Sequence, residues 1–469
     1  MGVRLSFKAM SYPRIYFDNA ATSFPKPPEV AEAMARYASE LGASAGRGAY
    51  AEAVETGRLI GECRALLNQF FNGEDPNHFV FTLNCSDALN IAIKGLIDPP
   101  STSGEIAHVI CTATDHNSIL RPINALAERG WLTRTVVPVD GNTGLVDPVD
   151  IRRAIRPNTK FIAVTHGSNV SGVLQPVREI GQIAREAKIP FIVDAAQSAG
   201  HVPIDVQADC IDLLAAPGHK ALMGPLGTGF LYLRPGMEQR VKTLREGGTG
   251  SVSEHPTQPQ FMPDKYEPGS HNAIGLIGLA EGVRWIMRQG IEILRQHELQ
   301  LMAQFLDDVA GLEGVDLLPL PLREGGGGGV SGAPPLLAQN RVRSDLPDDH
   351  FQQSASRSGP LPPPPPSRGG EKTLARWSLD NRVAVFSVRI AGYAPTELAK
   401  HFEEDFGLLT RPGLHCAPHI HEALGTAAAG GTTRFSFGAF TTSADVARAT
   451  EAIKSLAGKN LAGALAAQQ

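Results

Sequence analysis

The chain has 469 residues, of which 42% are hydrophobic and 19% charged, and a formal net charge of −5. That length allows two or three domains and one large core, and the composition is that of a folded globular protein, not a disordered one. The near-balance of 43 Lys and Arg against 48 Asp and Glu excludes a general attraction to nucleic-acid phosphates or anionic lipid.

The N-terminus, MGVRLSFKAMSYPR, has no apolar h-region, so a secretory signal is not expected. No apolar run approaches the roughly 18 residues of a membrane span. Patterned sequence begins near Ile15, which makes Met10 a candidate start. The five cysteines (Cys63, Cys85, Cys111, Cys210 and Cys416) are few, odd in number and widely spaced. They argue against a disulfide framework and for a reducing, cytoplasmic compartment.

In chain order, short apolar runs alternate with helical patterns to about residue 290. The predicted strands are FVFTL (79–83), AHVICTA (107–113), TRTVVPV (133–139), FIAVTH (161–166), PFIVDA (190–195), DLLAAP (212–217) and TGFLYL (228–233). Helices are predicted between them at 86–97, 117–130, 147–155 and 176–187. Near-continuous apolar strands separated by helices read as a mostly parallel sheet covered on both faces. DLLAAP and TGFLYL are close enough for one antiparallel pair. Beyond a long amphipathic helix at 291–310 the pattern becomes a weaker strand and helix mixture: 382–390, 396–406, 433–440 and 443–456. This predicts a large α/β domain over 24–285 and a smaller C-terminal α+β domain over 286–465, with residues 1–23 packing on the smaller one.

Residues 323–374 interrupt the smaller domain with GGGGG (325–329) and PPPPP (362–366). Such a composition cannot bury enough apolar surface to offset chain ordering, so it reads as a disordered insertion. A proline-rich docking segment is the functional alternative.

The chemistry concentrates in PFIVDAAQSAGH (190–201) and DLLAAPGHKALMGPLGTGFLYL (212–233). Asp194 ends an apolar strand, where open α/β sheets place ligand groups. Lys220 follows another such strand, with His219 beside it. A partly desolvated lysine is a competent nucleophile toward an aldehyde, and a carboxylate can pair with a protonated ring nitrogen. Lys plus Asp is the pair that pyridoxal 5′-phosphate (PLP) requires. A surface lysine and a strand-end helix cap would also fit the spacing. GPLGTG (224–229) lacks the Gly-Lys-Ser/Thr ending of a P-loop and precedes a strand, so it is not read as a nucleotide site. GGTGSV (247–252) is read as an entrance loop.

From YFDNAAT (16–22) to GTTRFSFGAFTT (431–442) the chain resembles the class V aminotransferase superfamily of fold-type I PLP enzymes. Within it, the resemblance is closest to the cysteine desulfurase and selenocysteine lyase group. The resemblance implies that Lys220 in GHK carries the cofactor, Asp194 pairs with its ring nitrogen and Gln197 bonds its phenolate oxygen. It implies that His116 in TDHNS stacks on the ring and relays protons. Asn169 in THGSNVSG would lie near cofactor and substrate carboxylate. Phosphate would be held by the loop TLNCSDALNIAIKGL (82–96) and by His219. Where the family usually has Gly-Thr-Thr, this chain has Asn84-Cys85-Ser86, so Ser86 keeps a hydroxyl and Cys85 replaces a threonine. Pro217 stands where a Ser or Ala is common. Ser270 in YEPGSHNAIGL occupies the place of a threonine that reaches a neighbouring subunit's phosphate, which implies a homodimer.

The segment GLLTRPGLHCAPHIHEALGT (407–426) resembles the family's R-x-G-x-H-C-A segment, with Cys416 as nucleophile toward the sulfur of a bound cysteine. Arg411 and His415 would favour its thiolate. The short gap from Arg411 to Cys416 resembles the SUF-type subgroup. Arg434 in TTRFSF matches the arginine that grips the substrate carboxylate. Arg36, Arg47 and Arg58 read as solvated or interface charges. Three readings stay open beside a cysteine desulfurase acting on L-cysteine with a protein sulfur acceptor. One is another class V reaction, such as transamination, epimerisation or selenocysteine lysis. Another is metal binding by His415, Cys416, His419 and His421. The third is a binding protein on a PLP fold that has lost activity.

Overall fold

The computed structural model describes residues 14–46, 48–100, 106–319 and 378–466. The candidate start at Met10, Arg47 and the insertion read at 323–374 lie outside the described residues. A two-residue strand, β1 (Ile15–Tyr16), precedes helices α1 (Pro28–Arg36) and α2 (Ala51–Phe70). The seven apolar runs then form strands, each within a few residues of its expected bounds. They are β2 (Phe79–Thr82), β3 (Ala107–Thr112), β4 (Leu132–Val137), β5 (Thr159–Thr165), β6 (Phe191–Asp194), β7 (Leu213–Pro217) and β8 (Gly229–Leu233). Between them lie α3 (Cys85–Gly95), α4 (Asn117–Glu128), α5 (Pro148–Ala154) and α6 (Val177–Glu186).

These strands make one sheet in the order β2-β8-β7-β6-β5-β3-β4. Strands β3 to β7 pair in parallel, and β8 runs antiparallel to both β7 and β2. The connection from β7 to β8 is too short for a crossover helix, so the chain returns antiparallel. Every residue of β2, β3, β6, β7 and β8 is buried, which is why these runs are apolar without alternation. Val80, Leu89, Ile93, Val109, Ile119 and Leu231 join strands to α3 and α4 in one core.

Helices α7 (Ala273–Gln289) and α8 (Ile291–Val309) lead into β9 (Val315–Leu318). After the undescribed stretch come β10 (Val385–Ile390), α9 (Pro395–Phe406), β11 (Leu408–Leu409), β12 (Arg411–Gly413), α10 (Pro418–Ala423), β13 (Thr432–Ser436) and α11 (Ser443–Ala466). A second sheet, antiparallel throughout, has the order β12-β13-β10-β9. Its core is aromatic: the Phe305 ring lies 4.7 Å from Phe386 and 5.9 Å from Phe435. The N-terminal segment packs here. Phe17 sits 5.6 Å from both Phe435 and Phe437, and Asn19 Nδ2 donates to the Ser436 carbonyl at 3.1 Å. β1 pairs in parallel with β11. The architecture is thus a mostly parallel α/β sheet beside a smaller antiparallel α+β sheet, as read from the sequence. Among the described residues no helix is long and apolar enough to cross a membrane.

Candidate active site

The loops at the C-terminal ends of five strands converge on one cleft, the place where an open α/β sheet presents ligand groups. Asn84, Cys85 and Ser86 follow β2; His116 and Ser118 follow β3; Gly167 and Asn169 follow β5. Asp194 ends β6, Gln197 lies just beyond it, and Pro217, His219 and Lys220 come from the end of β7. The cleft encloses about 500 Å³, its open mouth included. Of the residues the resemblance singled out, it gathers Lys220, Asp194, Gln197, His116, Asn169, His219, Cys85 and Ser86.

Asp194 is buried. Its Oδ1 accepts from the Ala196 N–H at 2.9 Å and from Cys85 Sγ at 3.3 Å. Burial lowers the Lys220 amine to about 8, with Asp194 opposing the shift. An amine so placed is unprotonated in a useful fraction near neutral pH. Its loop is held close by backbone: Ser23 Oγ donates to the Lys220 carbonyl at 2.7 Å. At Gly200 φ is +91°, and a Cβ there would meet the Ala221 carbonyl carbon at 2.6 Å, so only glycine lets that turn approach the lysine loop.

His116 is the N-cap of α4, and its Nδ1 accepts from the Ser118 N–H at 3.0 Å. Burial lowers the ring to about 4, so it is neutral with its proton on Nε2. That commits Nδ1 to the helix cap and leaves Nε2–H as the ring's other polar group. Ser118 Oγ also lies 2.6 Å from Ser86 Oγ, linking the imidazole to the start of α3. Burial likewise lowers His219 to about 4, and its Nδ1 has no protein partner. Gln197 Nε2 donates to the Ala20 carbonyl at 2.9 Å, tying the cleft to the N-terminal segment.

Asn169 Nδ2 donates to the His415 carbonyl at 2.6 Å, and the Asn117 N–H donates to the Cys416 carbonyl at 2.8 Å. These bonds dock the Cys416 segment on the cleft. Cys416 itself is exposed. One expectation about it is corrected: burial drives His415 down to about 2, with the nearby Arg434 adding to the effect, so this imidazole is neutral and contributes no positive charge to the thiolate. Of the two groups expected to do so, Arg411 is the one that carries charge. His415 instead contacts Thr432 Oγ1 at 3.3 Å, His419 pairs with Glu422 and His421 with Thr426. Among the described residues no three His, Cys, Asp or Glu side chains group as a metal site.

Arg434, on β13, is buried, with Nη2 on Asp18 Oδ1 at 2.6 Å and Nη1 on the Asn169 carbonyl at 3.1 Å. Its Nε and the Oδ1 of Asn169 are buried without partners. Ser270 is exposed and stands apart, in a separate opening with Leu83, Gly227 and Arg245. Arg36 and Arg58 lie at the surface, Arg58 pairing with Glu55 and Glu62. Sequence reading passed over Asp18 and Asp115. Asp115 accepts from the Thr112 and Thr165 N–H groups at 2.6 and 2.7 Å and so clamps the ends of β3 and β5 beside His116. Both acids lie inside motifs already quoted, YFDNAAT and TDHNS, which was the available signal.

The chain belongs to the class-V aminotransferase family, which matches residues 15–324 and 370–449. Enzymes of this family depend on PLP. A protein described as a probable cysteine desulfurase from Methanothermobacter thermautotrophicus is 30% identical, over 95% of each chain. The apo structure of a cysteine desulfurase from Thermococcus onnurineus NA1 matches with a TM-score of 0.76 and 28% identity, covering 95% of each chain. The Escherichia coli cysteine desulfurase CsdA, at 22% identity over 94% of each chain, shares the fold with a TM-score of 0.72.

The residues present fit PLP. A lysine of lowered pKa and a buried carboxylate face one cleft. Two polar atoms there, Asn169 Oδ1 and His219 Nδ1, are buried with no protein partner.

Proposed function

We propose that this chain is a cysteine desulfurase that converts L-cysteine to L-alanine and holds the sulfur as a persulfide on Cys416. The observation that carries the reading is the docking of the exposed Cys416 segment, through Asn169 and Asn117, onto the cleft that holds Lys220 and Asp194. Structural similarity to cysteine desulfurases over nearly the whole chain supports it.

When bound, PLP supplies an aldehyde that captures an amine and a ring that withdraws electrons from the bonds around Cα. Lys220 would hold it and would also be the base that takes the Cα proton. Asp194 would keep the ring nitrogen protonated, and Gln197 would bond its phenolate oxygen. His116, neutral, would stack on the ring and offer Nε2–H. Ser86, His219 and the free N–H groups at the start of α3 would receive the phosphate. Arg434 and Asn169 would orient the substrate carboxylate. Cys416 Sγ, having given up its proton, would then bond to the substrate sulfur; the Cβ–S bond would break toward carbon, Cβ would gain that proton, and Cα would regain the one Lys220 took. Cysteine plus thiol thereby becomes alanine plus persulfide, with no external oxidant.

In this reading residues 24–285 would hold the cofactor, while 286–465 with 1–23 would bring Cys416 and Arg434. The active unit is a cytoplasmic homodimer, with Ser270 serving the partner's phosphate, and the persulfide passes to a protein acceptor. Mass spectrometry after incubation with L-cysteine tests the reading. The peptide containing Cys416 should gain one sulfur atom, and Cys416→Ala should lose sulfide release while keeping PLP. Unchanged sulfide release, or turnover of an amino acid to its keto acid by that variant, would replace this reading with another class V reaction.

A further inference from the structure

Cys85 is a buried thiol at the floor of the cleft, and the structure gives it a partner. It is the first residue of α3, buried, and its Sγ lies 3.3 Å from Asp194 Oδ1, although 109 residues separate the two. The Ala196 N–H reaches the same oxygen at 2.9 Å. Among the described residues no protein donor reaches Asp194 Oδ2. Both donors therefore load one oxygen of the carboxylate and leave the other free. A carboxylate turns about its last torsion in a broad well, so unequal loading of its oxygens is what fixes its plane.

We propose that the Cys85 thiol is a positioning donor: with the Ala196 amide it locks Asp194 so that Oδ2 alone faces the ring nitrogen of the cofactor. Burial and the neighbouring Asp194 carboxylate hold this thiol well above the usual range, which keeps its proton in place for the role. A thiol donates weakly. It therefore sets the orientation while drawing little charge from the carboxylate that must stabilise the pyridinium. The same protonation makes Cys85 inert as a nucleophile, so the chain carries two cysteines near one cleft with opposite tasks, an exposed one to react and a buried one to orient.

This inference rests on the reading of the cleft as a PLP site. The test uses the full-length protein stripped of PLP, as wild type, Cys85→Ala and Cys85→Ser. PLP affinity is measured by equilibrium dialysis, and the pH midpoint of the visible absorption band is measured on the reloaded proteins. Cys85→Ala should bind PLP about 3–10-fold more weakly, what the loss of one ordinary net hydrogen bond from a weak donor predicts, with a displaced midpoint. Cys85→Ser keeps a donor, loses similar volume, and should stay within about threefold of wild type. Either half of that pattern missing overturns the proposal: an alanine variant with wild-type affinity and midpoint, or a serine variant as weak as alanine, which would assign the effect to sulfur's volume. A wild-type chain that takes up no PLP would instead overturn the cofactor reading, and this inference with it.

Discussion

The side-chain amide of Asn169 donates to the backbone carbonyl of His415 at 2.6 Å, while the Asn169 carbonyl accepts from Arg434 Nη1 at 3.1 Å. One residue thus ties the segment carrying the Cys416 thiol to the arginine proposed to hold substrate. The tie has work to do, because His415 and Cys416 both sit in the left-handed region, at φ 51° and 60°. That conformation costs roughly 1–2 kcal/mol for each residue with a side chain. Asn169→Ala removes the donor and keeps the main-chain bond to Arg434. Amide hydrogen exchange across 411–417 should quicken several-fold, about what loss of one hydrogen bond of ~1 kcal/mol predicts. Sulfide release should fall with it. Unchanged exchange in this segment would show that Asn117 and the Thr432 contact suffice to hold it.

Lys220 gives a pH dependence whose sign is fixed. Its ordinary value of 10.5 is lowered to about 8, chiefly by burial. The free amine, which would be the nucleophile, therefore accumulates as pH rises through about 8 rather than through 10.5. The rate at which stripped protein forms a borohydride-trappable bond to PLP should climb with a midpoint near pH 8, and Lys220→Ala should abolish trapping. A midpoint near that of a solvated lysine would mean the amine is not buried as the structure has it.

The strands are legible because buried strands of a sheet covered on both faces must be continuous and apolar. Asp194 and Lys220 can be read from standing at or just past strand ends, whereas His116, Asn169, Gln197, Cys85 and Ser86 are reached only through the resemblance to the family. What stayed hidden depends on contacts between distant segments. The pairing of Asp18 with Arg434 spans 416 positions, and the neutrality of His415 comes from its burial, which sequence spacing does not reveal. Helix α2 escaped because its buried face includes Thr56 and Arg64 beside Ile60 and Leu67, so its apolar stripe is broken. Helix α7 escaped because it contains Gly275, Gly278 and Gly282, which lower helix propensity. At Gly282 a Cβ would meet Gly224 N at 2.9 Å. The glycine is there so that α7 can lie against the turn following Lys220, a packing need that overrides propensity.

Arg64 also explains why the packing around β2 should be sensitive to mutation. Its guanidinium and the Glu267 carboxylate are both buried and doubly bonded, Nη1 reaching Oε1 at 2.7 Å. Glu267 also accepts from the Phe81 N–H at 2.5 Å and from His271 Nε2 at 2.6 Å. Burial alone would push this carboxyl up, yet Arg64 and His271 together hold it below its ordinary 4.5. Its contribution to stability is therefore present above about pH 4.5 and is lost as pH falls through the lower native value. Glu267→Gln leaves the Arg64 charge buried without a counterion, at a cost of about 3–5 kcal/mol. Urea unfolding at pH 7 should show that loss. Arg64→Met combined with Glu267→Leu removes both charges and should recover most of it, since apolar replacements of a buried ion pair are often neutral. A double variant no more stable than Glu267→Gln would mean that the Phe81 amide and His271, left without their acceptor, carry the larger share of the penalty.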